Sequence, residues 1–282
     1  MRFILGLCFL ASLPLNADTI FTTRVHDIDS GLAPDDQVLI LLANGKVARM
    51  NHNQMNVVDD LFAAKQRDAL LKITLNDARE IIAYEEAQEP VVLEVSNTLV
   101  ESEEKSIHYT PSVISSPEVA LRIFRDRQYN AKESQCYNRA HIWSYEWRVK
   151  HNLYSSKIWV FFTRKFLREY PSFEWWFHVA PMVYVNDGGV KERAMDMKYN
   201  SRPMPIQKWA DTFLKGKGPC LTVQKYSEHI NYPYNGHCYF QKSSMYYYQP
   251  ADLEFIEKFG TEKNAWVETE VREAYREAFD II

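Results

Sequence analysis

Beyond its first seventeen residues the chain has no uninterrupted apolar stretch of about 18 residues, the length a membrane-spanning helix needs. It also lacks a positive surplus. The formal net charge is -4, so there is no broad cationic field of the kind that nonspecific nucleic-acid binding requires, and the local pair Lys215 and Lys217 reads as a solvated loop. Internal repeats and low-complexity segments are missing too. With 46% hydrophobic and 25% charged residues, the composition excludes disordered and collagen-like chains and suits one large domain or two small ones. Cysteine is scarce, with four in 282 residues, and this scarcity makes each one informative.

What the N-terminus does contain is MRFILGLCFLASLPLNA, with a positive charge at Arg2, an apolar run from Phe3 to Leu13 and a small residue at Ala17. That is the pattern of a secretory signal peptide over residues 1–17, so the mature chain is expected to be secreted or periplasmic, with no membrane partner. Cys8 lies inside the apolar run behind Leu7 rather than a small residue, unlike a lipoprotein cysteine. Removal of the leader leaves Cys136, Cys220 and Cys238. In an oxidising compartment Cys220 and Cys238 form the natural disulfide, which leaves Cys136 as a free thiol. A zinc site from Cys220, Cys238, His229 and His237 is the competing reading, but adjacent His237 and Cys238 lack the usual ligand spacing.

Residues 18 to about 106 read as a small α+β unit. QVLILLANGKVAR alternates apolar residues around Asn44-Gly45, a strong hairpin signal. Helices are predicted over Val57 to Ala63 and Asp77 to Tyr84, the second capped by Asn76, and EPVVLEV from Glu89 reads as a strand. The acidic run ESEEK at 101–105 reads as an exposed linker and protease site. Beyond it come a helix over Ser116 to Arg127 entered through Ser116-Pro117, and a second over Ser134 to Lys150 with Ser134 as cap. Cys136 falls in the first turn of this second helix, where peptide dipoles stabilise a thiolate, and Tyr137, Ala140, Ser144 and Trp147 form its buried stripe. KIWVFFT at 157–163 and FEWWFHVAPMVYV at 173–185 read as strands, and PADLEFIEKF and KNAWVETEVREAYREAF as amphipathic helices.

The strand ending at Val185 enters a turn at Asn186-Asp187-Gly188-Gly189 and leaves through VKERAMD. With a loop of Asn186 to Gly188, Val185 pairs with Gly189 and His178 falls opposite Asp196, on one face of the sheet. A slip of one residue would separate them. A thiol is only slightly ionised at neutral pH, and a histidine held by a carboxylate can take its proton and later activate water. This gives Cys136 as nucleophile, His178 as base and Asp196 as the group that orients the base. Backbone N–H groups at the helix start would stabilise an oxyanion. His141 is a rival base, but five residues along a helix turn it far from Cys136. Asp187 is a rival acid with an ordinary reason to sit in a turn.

CYNRAH at 136–141, FHVAPMVYV at 177–185 and RAMD at 193–196 resemble three motif blocks of the bacterial secreted protein-glutaminases. Over roughly residues 111–255 the resemblance extends more loosely through SVISSPEVALRIF and YFQKSSMYYY. It implies an α+β fold with a papain- or transglutaminase-like core, the nucleophile at a helix N-terminus packed on an antiparallel sheet. It further implies a catalytic unit over 109–282, preceded over 18–108 by a small α+β pro-domain that acts as intramolecular inhibitor. The implied reaction is deamidation of exposed glutamine side chains in protein substrates by a Cys136-His178-Asp196 triad through a thioester, by a monomer that needs no metal or organic cofactor. Trp175 and Trp176, just before His178, are expected to border the substrate groove. Met197 stands where the family tends to have proline. The same triad would serve a transglutaminase or a cysteine protease. A different class is an extracellular binding module, in which Tyr246 to Tyr248 with Trp175 and Trp176 grip polysaccharide or protein and Cys136 is inert.

Overall fold

The computed structural model describes residues 18–30, 37–88, 110–126, 134–231, 236–260 and 262–279. It divides into two compact units, Met1–Leu42 with Ala48–Glu89, and Ala43–Val47 with Pro90–Ile282. The expected leader, the strand EPVVLEV and the acidic linker lie outside the described residues. No described helix is long and apolar enough to cross a membrane.

The first unit runs β1 (Thr19–Thr23), β2 (Val25–Asp29), β3 (Val38–Leu42), β4 (Val47–Met50), α1 (Met55–Gln66), β5 (Leu71–Leu75) and β6 (Ile81–Glu86), with Val47 grouped in the second unit. The strands form sheets of order β2-β3-β4 and β1-β5-β6. The predicted hairpin forms around Gly45, whose φ of +86° is the left-handed conformation that glycine reaches without a Cβ penalty. Val38, Ile40, Leu42, Leu61, Ile73 and Ile81 meet in the core of this unit. The helix expected over Asp77 to Tyr84 is a turn followed by β6. Asn76 accepts the Glu80 N–H at 2.8 Å through its side chain and so closes a turn, and Arg79 takes a φ of +64°. Ile81 onward then pairs with β5, where β-branched residues pack well.

The second unit contains β7 (Val113–Ile114), α2 (Pro117–Arg125), α3 (Cys136–His151), β8 (Ser156–Phe162), α4 (Arg164–Glu169), β9 (Phe177–Asn186), β10 (Val190–Ala194), β11 (Met204–Pro205), α5 (Ile206–Leu214), β12 (Leu221–Thr222), α6 (Tyr226–Asn231), β13 (Cys238–Ser244), α7 (Pro250–Phe259) and α8 (Glu268–Phe279). Its 7-stranded sheet has the order β11-β10-β9-β8-β13-β12, with β7 added in parallel to β9. β8 is buried along its whole length because it pairs on both edges, with β9 and with β13. The Ser116 side chain caps α2 by accepting the Val119 N–H at 3.3 Å. α3 begins one residue later than expected for a Ser134 cap: Gln135 is the N-cap residue and makes no side-chain cap bond. This helix packs against both β9 and α8, which buries nearly every side of its first nine residues, Asn138, Arg139 and His141 included. The expected stripe is therefore only part of its buried surface.

The β9–β10 turn is one residue further along than the sequence suggests. Asn186 pairs with Val190 across Asp187, Gly188 and Gly189, and Ala194 pairs with Met182. Paired numbers sum to 376 rather than the 374 expected, which leaves the face of each side chain unchanged and moves Asp196 from His178 to the level of Ala180. Gly188 and Gly189, at φ +62° and +123°, supply the positive φ values that fix this turn, and Asp187 is exposed and paired to Arg193 at 2.9 Å.

Cys220 and Cys238 are disulfide-bonded with a sequence separation of 18, so no zinc site forms from them, and no metal-binding cluster occurs among the described residues. Closing a loop of this size is worth about 3 kcal/mol through the entropy of the unfolded chain. A double Cys220→Ser, Cys238→Ser variant is expected to lose about 3 kcal/mol of unfolding free energy, measured by urea titration.

Candidate active site

The N-terminus of α3 carries Cys136, half-buried and the one free cysteine among the described residues. β9 carries His178 opposite Val160 of β8, in the middle of the sheet, and both His178 and Asp196 are 1% exposed. Directly after β10 the chain keeps one more ladder bond, Met195 N–H to the Pro181 carbonyl at 2.8 Å. Asp196 then lies level with Ala180, diagonal to His178 on the same face. A diagonal pair is within reach of long side chains, and the Oδ2 of Asp196 meets the Nε2 of His178 at 2.7 Å. The expected contact thus forms across a different register.

With Nε2 engaged by Asp196, the Nδ1 side of the ring is left for the thiol. The Cys136 thiol hydrogen-bonds the His178 side chain and the Val179 backbone. Burial alone would push this thiol up, but the hydrogen bond and charge of His178, with the nearby Arg139 guanidinium, bring it below its ordinary value. His178 feels the opposite balance. Burial would pull it down, whereas the charge and hydrogen bond of Asp196, followed by those of Cys136, push it up to about 9. Burial would likewise raise Asp196, but His178, the Trp209 indole and Arg139 hold it low. The three groups together favour a thiolate and an imidazolium over a neutral pair.

Further residues complete the site that spacing in the sequence did not single out. The Trp209 indole N–H of α5 donates to the same Asp196 Oδ2 at 2.9 Å, and the Lys198 backbone N–H donates to Oδ1 at 3.2 Å. Aromatic rings surround the imidazole. Trp175 stacks on it at 5.6 Å and 23°, and Phe213, Tyr199 and Trp209 lie at 4.7, 5.3 and 5.5 Å. Arg139, one turn along α3 from Cys136, is 4% exposed and donates to the Ser134 carbonyl, which anchors the chain entering the helix. The helical periodicity that put it in CYNRAH gives no hint of that role. Trp176 departs from expectation: at 2% exposed it packs against Phe161 and Phe177 and cannot border a groove. Its neighbour Trp175 lies on the His178 side instead, because the chain bends at Trp176 before the regular alternation of β9 begins.

The rival base is elsewhere. His141 is fully buried, its Nδ1 faces the Lys157 ammonium at 2.9 Å, and burial pushes it well below its ordinary value. Residues 43–47 belong to this unit: the Trp176 N–H donates to the Gly45 carbonyl at 3.0 Å, and the Val47 N–H to the Glu174 carbonyl at 2.9 Å. A Cβ at position 45 would come 3.1 Å from the Phe177 ring, a second reason for glycine there.

The class of protein so defined is α+β, with an activated thiol at a helix N-terminus facing a buried histidine and carboxylate. A family described as glutaminase matches residues 117–213, a span that includes all three of these residues. The fold is similar to crystal structures of a mutant of pro-protein-glutaminase and of pro-protein-glutaminase, each with a TM-score of 0.50 and 14% identity. The similarity covers 93% of this chain in both cases, and 94% and 93% of those chains. No curated protein matches the sequence. The family model covers the part of the chain that carries the candidate site, and the likeness to the solved structures is one of fold.

The signs of these shifts give a test. The raised histidine contributes stability that is full below its ordinary value of 6.5 and is lost as pH rises through about 9. The lowered thiol contributes in the opposite sense, present above its ordinary value of 9.0 and lost as pH falls through its folded value. In the wild type the two slopes oppose each other. Cys136→Ala leaves the histidine alone, so its unfolding free energy in urea is expected to fall as pH rises above about 6.5, more steeply than in the wild type. Trp209→Phe keeps an aromatic ring but removes one donor from a buried carboxylate, with an expected loss of about 1–3 kcal/mol of unfolding free energy in urea.

Proposed function

We propose that the chain is a secreted protein-glutamine glutaminase, a cysteine-dependent amidohydrolase whose triad is Cys136, His178 and Asp196. The observation that carries this reading is the 2.7 Å bond between His178 Nε2 and Asp196, which leaves the other face of the imidazole to a thiol with a lowered pKa. The Cys136 thiolate attacks the γ-carboxamide carbon of a protein-bound glutamine. His178 gives its proton to the departing ammonia, leaving a thioester on Cys136. Water, deprotonated by His178, then attacks the thioester, and the side chain leaves as glutamate while the thiol is regenerated. The free N–H groups at the start of α3 face the oxyanion formed in both steps, a contribution on the order of 3 kcal/mol per donor. Asp196 holds the ring and stabilises its charged form without being protonated.

In this reading the core is papain- or transglutaminase-like, with the nucleophile helix packed on the antiparallel sheet, and Trp175 shields the imidazole at the edge of the substrate groove. Residues 1–17 are a cleaved leader, 18–108 a pro-region and 109–282 the catalytic domain. The pro-region is an intramolecular inhibitor. Two observations support this: the similar solved structures are of a pro-protein, and residues 43–47 bond to the segment leading into His178.

Ammonia release from casein, a glutamine-bearing unfolded protein, provides the test. Limited proteolysis between residues 89 and 109 is expected to raise the rate, and Cys136→Ala to abolish it. Asp196→Asn, which keeps the shape but removes the charge, is expected to lower kcat by a factor on the order of 10⁴. Activity that survives Cys136→Ala would reject the nucleophile, and ammonia from free glutamine but none from casein would reject a protein substrate.

A further inference from the structure

A second concave site lies in the same unit, on the far side of β8 from the strand that carries His178. It is a cavity of about 710 Å³ between the outer edge of β13 and helix α7, with Gln241, Lys242, Ser243, Ile256, Tyr226 and Lys263 among its walls. The strand order explains why an edge is open here. β12 closes the sheet, but it reaches only as far as Tyr239 and Phe240 of β13, while β13 continues along β8 to Ser244. Residues 241–244 therefore have a strand neighbour on one side only among the described residues.

The direction of the unused groups follows from the ladder. The Val223 N–H donates to the Phe240 carbonyl at 2.7 Å, so the Phe240 backbone points away from β8. Groups two residues apart along a strand point the same way, so the N–H and C=O of Lys242 also point outward, into the cavity. Neither has a partner among the described residues. Beside them is a second unmet group. The Gln241 side chain is 6% exposed, lines the cavity, and its Oε1 is buried with no hydrogen-bond partner. A buried carbonyl left without a donor costs about 1–3 kcal/mol, which a bound N–H would recover.

We propose that this groove is a docking site for an extended polypeptide segment of the protein substrate, which adds to the open edge of β13 and continues the line of β12. The occupant is set by the chemistry of the walls. A ligand must offer a donor and an acceptor in line to Lys242 and a further N–H to Gln241, and an extended backbone repeats that alternation. Half-buried Ile256 and the buried ring of Tyr226 give apolar contact for its side chains without selecting one sequence. Docking an unfolded stretch here would raise the effective concentration of its neighbouring glutamines at Cys136. The role as a substrate site rests on the deamidase reading; the binding itself does not.

The experiment uses fluorescein-labelled casein, with anisotropy titrations against the full chain carrying Cys136→Ala. Lys242→Pro deletes the outward N–H, which edge strands tolerate because it serves no internal bond. Ile256→Arg fills the groove from the α7 side and leaves the strand intact. Lys242→Ala keeps the N–H and removes only the side chain, with its 2.5 Å ion pair to Glu192. Lys242→Pro and Ile256→Arg are each expected to weaken casein binding about tenfold, equivalent to one or two net hydrogen bonds, and Lys242→Ala to bind as the parent does. In chains with Cys136 restored and clipped between residues 89 and 109, the first two are expected to raise KM for casein and leave turnover of a blocked glutaminyl-glycine dipeptide unchanged. Casein binding unaltered by both variants, or lost equally in Lys242→Ala, would overturn the proposal. Groove-dependent binding with no ammonia from either substrate would uphold the docking site and reject the deamidase.

Discussion

A carboxylate removed from water stays charged only if donors and a cation replace its hydration, and Asp196 is supplied with both. His178 meets one oxygen at 2.7 Å, Trp209 donates to the same oxygen, and the Lys198 backbone donates to the other. These contacts draw on β9, on α5 and on the chain leaving β10, so one small charge sets where those elements can end and how they pack. The charged imidazolium then lowers the thiol at the head of α3. Cutting any one of these links leaves a charge buried without its partner, which costs more than the same pair would contribute on the surface.

The aromatic rings around the imidazole belong to the same constraint. Trp175, Tyr199, Trp209 and Phe213 keep water from the histidine, which strengthens its bond to Asp196 and holds the ring in one orientation. The adjacent Trp175 and Trp176 were both expected to border the substrate groove. The fold divides them: Trp176 is core, while Trp175 is partly open above the histidine.

α3 shows the same economy on its other side. Asn138 accepts the Tyr248 hydroxyl at 2.5 Å and donates to Glu277 at 2.6 Å, which ties the nucleophile helix to α8 and to the chain before α7. His141 and Lys157 meet deeper in, and the Lys157 amine also donates to the Tyr247 carbonyl. Burial pushes Lys157 down to about 7, so a neutral amine there is within reach at ordinary pH. These polar contacts fix the rotation of a helix whose first nine residues are buried on nearly every side, so that no single hydrophobic face orients it.

The sequence by itself determined the free thiol, by cysteine counting, and its place at a helix start, by the pattern from Cys136 onward. It also determined the two central strands, the turn region at Asn186 to Gly189, and the Asn44-Gly45 hairpin. These are local or compositional signals, carried by residues close together in the chain. Tertiary structure decided what local signals leave degenerate. A hairpin with adjacent candidate turn residues can close in more than one way, so β9 and β10 pair one turn residue further along than the local signals suggest, and Asp196 reaches His178 diagonally. Asn76 can cap a helix or close a turn, and the pairing of β6 with β5 selects the turn. Trp209 and Arg139 carry no local sign of their partners, because burial and charge at Asp196 are set by segments far apart in sequence that only the packed sheet and helices bring together.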